Sequence, residues 1–197
     1  MANDTKDRIL KAALEIFSRD GYAGANLKDI AEAVGVVKSG FYRHYASKEE
    51  LWNTVLDEME RYYAERFGSS ENLPAIPQST DELKALTMRM LDFTMHDERI
   101  ILTRKLLLTE QFRDARVRAL ATKHFGAELE ALFTKLFAGM MENGSLQNGD
   151  PAMLAFVYTA PVSALIQRCD REPEKEAEIL RQIEAFVKHF IEIYGKG

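Results

Sequence analysis

Apolar residues recur every three or four positions along most of this chain, and that spacing predicts α-helices rather than strands. The pattern begins with a helix over residues 5–20, which Gly21 is expected to end. A second, short helix follows Asn26 as its N-cap, and a third is predicted over residues 37–45. Gly35 between these two suits a tight turn, so they form a helix-turn-helix, whose second helix can enter a DNA major groove.

The helical spacing continues to the C-terminus and predicts about nine helices in total, so the expected fold class is all-α. The later helices are expected over residues 47–67, 79–96, 98–109 and 112–142, with two more beginning at residues 150 and 172. Pro161 lies inside the eighth helix, where its missing N–H is expected to kink or break the helix. The stretch 68–78 is the most linker-like of the chain and marks the expected domain boundary.

Composition agrees with a helical protein that has a sizeable core. The 197 residues are 46% hydrophobic and include only 11 Gly and 5 Pro. The single cysteine, Cys169, excludes an internal disulfide and is expected to be a small buried residue. No run of about 18 apolar residues is present and the N-terminus is polar, so neither a membrane span nor a secretion signal is expected. The expected location is the cytoplasm.

Charge is distributed unevenly along the chain. The net charge is −5. Residues 1–48 carry eight basic and six acidic side chains, a balance of +2, whereas residues 49–197 carry 18 and 25, a balance of −7. A locally basic face on an acidic body favours binding of nucleic acid at defined sites over general coating of nucleic acid.

The sequence contains no motif that is typical of an enzyme. It has no Gly-rich phosphate loop and no cluster with metal-ligand spacing. The four histidines, at positions 44, 96, 124 and 189, are scattered, and the carboxylates form no recognisable acid–base pair. We therefore predict no catalytic residue, no metal and no cofactor, and favour a DNA-binding switch over an enzyme.

An ordered series of short motifs occupies the first 51 residues. It comprises Ile9-Leu10-x-x-Ala13-x-x-x-Phe17, Gly21-Tyr22, Asp29-Ile30-Ala31, Ala33-Val34-Gly35-Val36 and Phe41-Tyr42-x-His44-Tyr45-x-Ser47-Lys48-Glu49-x-Leu51. This series resembles the TetR family of regulators, whereas beyond Phe67 only the helix count and layout are similar. The resemblance implies a homodimer that binds a palindromic double-stranded DNA operator as a repressor and is released by a small-molecule effector.

The resemblance also assigns a role to each part of the chain. It implies a helix-turn-helix DNA-binding domain at residues 1–47, a connecting helix at 48–67, and a helical ligand-binding and dimerisation domain at 68–197. Val37 departs from the family pattern, because such sequences often carry Ser or Thr there. Valine cannot cap a helix, so the start of the third helix is expected to be weaker by about 1 kcal/mol.

The polar residues in and around the third helix are the candidates for contact with DNA. They are Lys28, Lys38, Ser39, Gly40, Tyr42, Arg43, His44 and Lys48. Glycine permits close approach to the duplex, a tyrosine hydroxyl or a lysine can reach phosphate, and Arg43 or His44 can reach base edges. The alternative is that these are ordinary solvated side chains on a helical hairpin.

The last two helices are the candidates for a dimer interface. In the ninth, two neighbouring apolar stripes indicate burial on two sides, one against the same chain and one against a partner. In the eighth, small residues allow close approach of another helix. The predicted interface residues are Ala160, Ala164, Ile183, Phe186 and Phe190. The alternative is a helix deep in a monomeric core.

Aromatic, Met and a few polar side chains on helices five to eight are the candidates for an effector pocket. They are Met90, Phe93, Thr94, His96, Arg104, Phe133, Phe137 and Tyr158. An apolar wall with few polar groups is typical of small-molecule sites and predicts a mostly apolar effector. The alternative is that these side chains only fill the core.

Two other functions remain open at this point. One is a small-molecule-binding or enzymatic helical protein in which the helix-turn-helix is structural. The other keeps DNA binding but replaces a role in transcription with a protein partner, as in an architectural or cell-division factor. Salt-sensitive binding to a short duplex separates the first alternative from a regulator, and the location of the genomic sites separates the second.

Overall fold

The computed structural model describes residues 2–67 and 74–196; the side chains of residues 2–4, Lys38 and Phe67 lie outside this description, as does part of the predicted linker, residues 68–73. The helices are α1 (Ala2–Gly24), α2 (Leu27–Ala33), α3 (Lys38–Phe41), α4 (Lys48–Phe67), α5 (Thr80–His96), α6 (Glu98–Glu110), α7 (Ala115–Thr122), α8 (Glu128–Glu142), α9 (Pro151–Arg171) and α10 (Glu176–Tyr194). A π-helical turn, Lys123–Ala127, lies between α7 and α8, and a 3₁₀ turn, Pro173–Lys175, precedes α10.

The described residues confirm the all-α fold class. If α7, the π turn and α8 are counted as the one long helix that the spacing predicts over 112–142, the described ranges contain nine helices, as expected. The β-type pairing in the described ranges is a single isolated bridge between Leu146 and Gly195.

Short polar side chains begin several of these helices, as their sequence positions predict. Asn26 Oδ1 accepts from the backbone N–H of Lys28 at the start of α2. Ser79 caps α5 in the same way, and Asp150 caps α9 just before Pro151. These bonds satisfy backbone N–H groups that have no partner inside the helix.

Three local predictions, for Gly21, the third helix and Pro161, have different outcomes in the structure. Gly21 interrupts α1 as expected, with a φ of 70° that side-chain-bearing residues rarely adopt, although helical turns resume after it. The third helix is shorter than predicted, because after Phe41 the backbone continues as hydrogen-bonded turns to Tyr45. Pro161 does not break its helix, since α9 runs through it without interruption. A helix can tolerate the backbone hydrogen bond that proline removes, because tertiary packing routinely overrides the helix propensity of a single residue.

The chain divides into two compact units. The first comprises residues 1–66 and 98–121, and the second comprises residues 67–97 and 122–197. In the first unit α6 packs mainly on α1, and an aromatic cluster of Phe17, Tyr22 and Trp52 joins α1 to α4. The predicted functional division at residues 1–47, 48–67 and 68–197 remains a prediction.

The second unit is built from α5, α8, α9 and α10. Its centre is a set of stacked and edge-on rings, in which Tyr158 lies 5.1 Å from Phe133 and 4.6 Å from Phe190 between ring centroids. Phe137 packs against both of these phenylalanines and is fully buried. Such aromatic burial supplies much of the stability of a small helical unit.

Helix α9 has an unusual combination of length and apolarity. By length and composition alone it could cross a membrane, and only 22% of its most apolar window is buried within the chain. The absence of a membrane span therefore remains a prediction. An apolar helix with a bare face in a single chain needs a partner for that face.

Candidate functional site

The helix-turn-helix is held by a tight turn and three buried side chains. Gly35 has a φ of 68°, and its N–H donates to Glu32 O over 3.0 Å as the chain leaves α2. Ile30 of α2 is fully buried, and Phe41 and Tyr45 are each 1% exposed. These contacts fix one face of α3 and of the turns after it against the core. The opposite face is left to solvent.

Polar side chains occupy that solvent face. Ser39 and Arg43 are exposed, and His44 is half-buried. Tyr42 is 45% exposed. Its ring packs edge-on against Phe41, with 5.8 Å between ring centroids, so one side of the Tyr42 ring is in contact with the core. The side chain of Lys38 lies outside the described residues. The exposed set can therefore offer a phenol and a guanidinium to a partner from one short segment.

Two predicted lysines make contacts within the chain. Lys48 Nζ lies 4.7 Å from the centre of the Tyr22 ring and donates to Ala23 O over 3.4 Å. Lys28 is exposed on α2 and pairs with Glu32, with 3.5 Å between Nζ and Oε1. Such exposed pairs contribute little energy, so either ammonium can turn to a phosphate at small cost.

Gly40 has a packing reason beside the predicted one. A Cβ at this position would come within 2.9 Å of Val36 Cγ1. A larger residue would force Val36 away from its position in the turn. The structure therefore explains this glycine without reference to DNA, and close approach to a duplex stays a prediction.

Sequence reasoning missed the contacts that tie α4 to the α6–α7 region. Trp52 Nε1 donates to Asp114 Oδ2 over 3.1 Å, and Arg99 Nη2 donates to Glu58 Oε1 over 2.7 Å. Burial alone would raise the pKa of the Asp114 carboxyl, but hydrogen bonds from Val117 N–H, Trp52 and the backbone of residue 116 outweigh it and lower that pKa. Partners 41 and 62 positions apart leave no local pattern in a sequence.

A cavity in the second unit is the candidate ligand site. It holds roughly 440 Å³ of empty space, including solvent at its mouth. Its walls come from α5, α8 and α9, and are formed by Thr87, Met90, Leu91, Thr94, Leu129, Phe133, Tyr158, Thr159, Val162 and Ile166. Apolar walls with a few hydroxyl groups are typical of sites for small organic molecules.

Half of the predicted pocket residues line this cavity. Met90, Thr94, Phe133 and Tyr158 do so, whereas the others do not. Phe137 lies behind the wall, packed against Phe133 and Tyr158. The other three predicted residues, Phe93, His96 and Arg104, do not line the cavity.

The remaining predicted pocket residues have other environments. Phe93 is half-buried on α5 but does not line the cavity. His96 lies at the exposed end of α5, between Asp92 at 2.8 Å and Glu176 at 3.2 Å. Arg104 is buried within the first unit and does not line the cavity. The helical spacing that suggested them shows which residues share a face, but not which face borders a void.

Burial corrects the predicted dimer interface. Ile183 and Phe190 are 0% and 2% exposed within the single chain, so they belong to its own core and cannot face a partner. Phe186 is half-buried and packs on the same core. Both apolar stripes of α10 therefore form one broad face that packs against the core of the same chain. Ala160 and Ala164 are exposed on α9, as an interface requires.

The exposed apolar side chains of α9 were not predicted. Met153 is 56% exposed, Phe156 53% and Val157 38%. With Ala160 and Ala164 they follow helical spacing and form one stripe, hereafter the α9 stripe. The sequence pattern pointed to the small residues of this helix, and only burial separates its exposed positions from its core positions.

Within residues 2–67 and 74–196, no group of three or more His, Cys, Asp or Glu side chains is placed to hold a metal ion. The prediction of no metal and no cofactor remains a prediction.

Comparison with known proteins shows which regulators this chain is similar to. Residues 9–55 match the family model described as bacterial regulatory proteins, tetR family. The chain is 31% identical to YerO, an uncharacterized HTH-type transcriptional regulator of Bacillus subtilis, over 112 residues, which cover 55% of this chain but only 36% of that relative. It is 28% identical to TtgR, an HTH-type transcriptional regulator of Pseudomonas putida, over 94% of this chain and 89% of that one.

Solved structures extend the likeness to the whole fold. SmeT, the repressor of the Stenotrophomonas maltophilia multidrug efflux pump SmeDEF, is known as a complex with triclosan. That complex superposes with a TM-score of 0.74 and 20% identity, covering 98% of this chain and 92% of the other. The likeness establishes the fold. Together with the N-terminal match, it shows that the chain is similar to the TetR family of bacterial transcriptional regulators.

Proposed function

We propose that this protein is a cytoplasmic transcriptional repressor that binds a palindromic operator as a homodimer and is released by a mostly apolar small molecule. The observation that carries the proposal is the exposed polar face of α3 and its following turn, with Tyr42 and Arg43 outward and Phe41 and Tyr45 buried. A fixed inner face and a free polar outer face are what groove binding requires.

The α9 stripe supports the homodimer. A second copy of the chain is the proposed occupant, because a two-fold interface presents the same apolar patch on both sides and each copy buries the other. Exposed alanines at positions 160 and 164 let the two copies of α9 approach closely. Burial of the α9 stripe in a dimer would account for the apolar face of this helix in water, without insertion into a membrane.

The operator geometry follows from that symmetry. Two recognition segments related by a two-fold axis read two half-sites, about 34–36 Å apart if these occupy successive major grooves. The ligand then controls operator binding by changing the distance between the two recognition segments. A footprint without two-fold symmetry would contradict the proposal.

The cavity supports ligand control. Its ten wall residues are neutral, and SmeT offers a precedent in a protein of this fold that is known with a small molecule bound. To weaken operator binding a hundredfold, a ligand must favour the releasing conformation by about 2.7 kcal/mol. We propose α6 as the route to the DNA-binding segment, since Arg99 on α6 bonds Glu58 on α4 within the first unit.

The test uses a duplex selected by the protein from a random pool. We expect a symmetric site whose binding weakens steeply with salt. Arg43→Ala is expected to relax base preference at one position by about 1–3 kcal/mol, whereas Tyr42→Phe weakens binding to all sequences alike. Failure to enrich any sequence would overturn the proposal and favour a structural helix-turn-helix.

A further inference from the structure

The hydroxyl groups around the cavity share one property that bears on its ligand. The described residues that line it include no charged side chain, and their polar groups are the hydroxyls of Thr87, Thr94, Thr159 and Tyr158. Each hydroxyl carries one proton to donate and two lone pairs to accept. Where each proton goes therefore decides what the wall can offer a ligand.

Two of the protons go to the backbone of their own helix. Thr159 Oγ1 donates to Ala155 O over 2.8 Å. Thr94 Oγ1 donates to Met90 O over 2.7 Å. Both bonds run back one helical turn, a common arrangement for threonine within a helix. Neither side chain has a second proton to give.

The other two hydroxyls are linked in series. Thr87 Oγ1 donates to Leu83 O over 2.9 Å. The Tyr158 hydroxyl lies 2.6 Å from the same Thr87 oxygen. Because the Thr87 proton is already used, the Tyr158 O–H is the donor in this second bond. Burial raises the pKa of Tyr158 to about 12, so the phenol keeps its proton at neutral pH.

The Thr159 and Tyr158 hydroxyls can therefore accept a hydrogen bond from a ligand but have no proton to spare. A ligand O–H or N–H adds a new bond to a hydroxyl oxygen, at no cost to the bonds already made. A ligand oxygen that can only accept either stays without a donor or takes a proton from an existing bond, so nothing is gained. Leaving a buried polar group unpaired is costly.

We infer that this cavity selects neutral apolar ligands that donate a hydrogen bond, and discriminates against ligands of the same shape that can only accept one. The inference deepens the proposed function, since it takes the cavity to be the effector site. It names the effector class as hydrophobic molecules with a hydroxyl or N–H group, such as phenols, rather than ethers or ketones.

The test compares three probes on the full chain by titration calorimetry: a naphthol, its methyl ether and naphthalene. We expect the naphthol to bind about tenfold more tightly than the ether, the worth of one net hydrogen bond. The extra methyl group of the ether works against this result, because it adds apolar area. Equal or tighter binding of the ether, or no binding by the naphthol, would overturn the inference.

Variants test whether the wall hydroxyls receive the ligand proton. Thr159→Val and Tyr158→Phe each remove an acceptor with little change in shape, and at least one of them is expected to reduce the preference for the naphthol to about twofold or less. Thr159→Ser keeps the hydroxyl and should keep the preference. Thr134→Val is the matched control, since Thr134 also bonds back to its own helix, at Glu130 O over 2.7 Å, but does not line the cavity. A preference that survives in both test variants would overturn the inference.

Operator binding is measured with the same three probes. If the naphthol binds with the expected preference but leaves operator affinity unchanged, donor selection stands and ligand control of DNA binding fails. If naphthol and ether bind equally and both release the operator, ligand control stands and donor selection is overturned.

Discussion

The indole N–H of Trp52 donates to Asp114 Oδ2 over 3.1 Å and so joins α4 to the start of α7. The second oxygen, Asp114 Oδ1, accepts from the backbone N–H groups of Arg116 and Val117 and caps α7. Trp52 also packs edge-on against Phe17 of α1, with 4.9 Å between ring centroids. One carboxylate therefore holds a helix start and a tertiary contact within the first unit.

Removal of that carboxylate is expected to destabilise the first unit. Asp114→Ala loses both the cap and the Trp52 bond, and we expect a loss of about 2 kcal/mol in the free energy of unfolding, measured by urea denaturation. Asp150→Ala is the matched control, because Asp150 caps α9 through the backbone N–H groups of Ala152 and Met153 in its own helix and its loss should cost only about 1 kcal/mol. Equal losses in the two variants would show that the Trp52 bond contributes nothing.

Two buried tyrosines are expected to respond in opposite directions to loss of the hydroxyl. Among the described residues the Tyr45 hydroxyl is buried with no hydrogen-bond partner, whereas Tyr158 bonds Thr87 over 2.6 Å. Tyr45→Phe should therefore be neutral or stabilising, and Tyr158→Phe should cost about 1 kcal/mol. Thermal unfolding of both variants measures the difference. A clear loss in Tyr45→Phe would mean that this hydroxyl is satisfied in solution.

Lys48 is expected to act on DNA through a phosphate. Lys48→Ala should weaken binding to all sequences alike and lower the salt slope of operator binding by about one unit. Because Lys48 also lies over Tyr22, a small loss of stability is expected beside it. Lys84→Ala, on an exposed position of α5, is the control. An unchanged slope in Lys48→Ala would remove its assigned role.

The α9 stripe is expected to hold the dimer together. Phe156→Glu places a charge in the proposed interface and should give folded monomers in sedimentation at micromolar concentration. Phe112→Glu is the control, since Phe112 is 82% exposed in the first unit. Phe190→Asp should instead unfold the second unit, because Phe190 is a core residue. A dimer that persists in Phe156→Glu, or a monomeric wild type, would place the interface elsewhere or remove it.

His96 is expected to make stability depend on pH. Hydrogen bonds to Glu176 and then to Asp92 raise the pKa of His96 above its usual value. A raised pKa in the folded state means that the contribution is fully present below the ordinary histidine pKa of about 6.5 and is lost as pH rises through the folded-state value. His96→Asn should therefore lie further below wild type at pH 6 than at pH 8.5 in urea denaturation. A difference that is constant with pH would contradict this role.

The sequence by itself determined the local features of this protein. Helical spacing, the caps at Asn26 and Ser79, and the turn glycine at position 35 depend on neighbours a few residues away, so the pattern of the chain contains them. The same holds for the helix-turn-helix, since Phe41, Tyr42 and Tyr45 take their inner and outer positions from helical and turn spacing.

Only the tertiary structure decided which apolar faces are buried, bare or beside a void. Phe190 was predicted to lie in the interface but is a core residue, whereas Phe156 was not predicted and is exposed to solvent. Thr94 lines the cavity and Phe93 beside it does not. The bond from Trp52 to Asp114 joins residues 62 positions apart. These outcomes depend on how helices pack, and packing is set by contacts between segments distant in the chain, which no local period encodes.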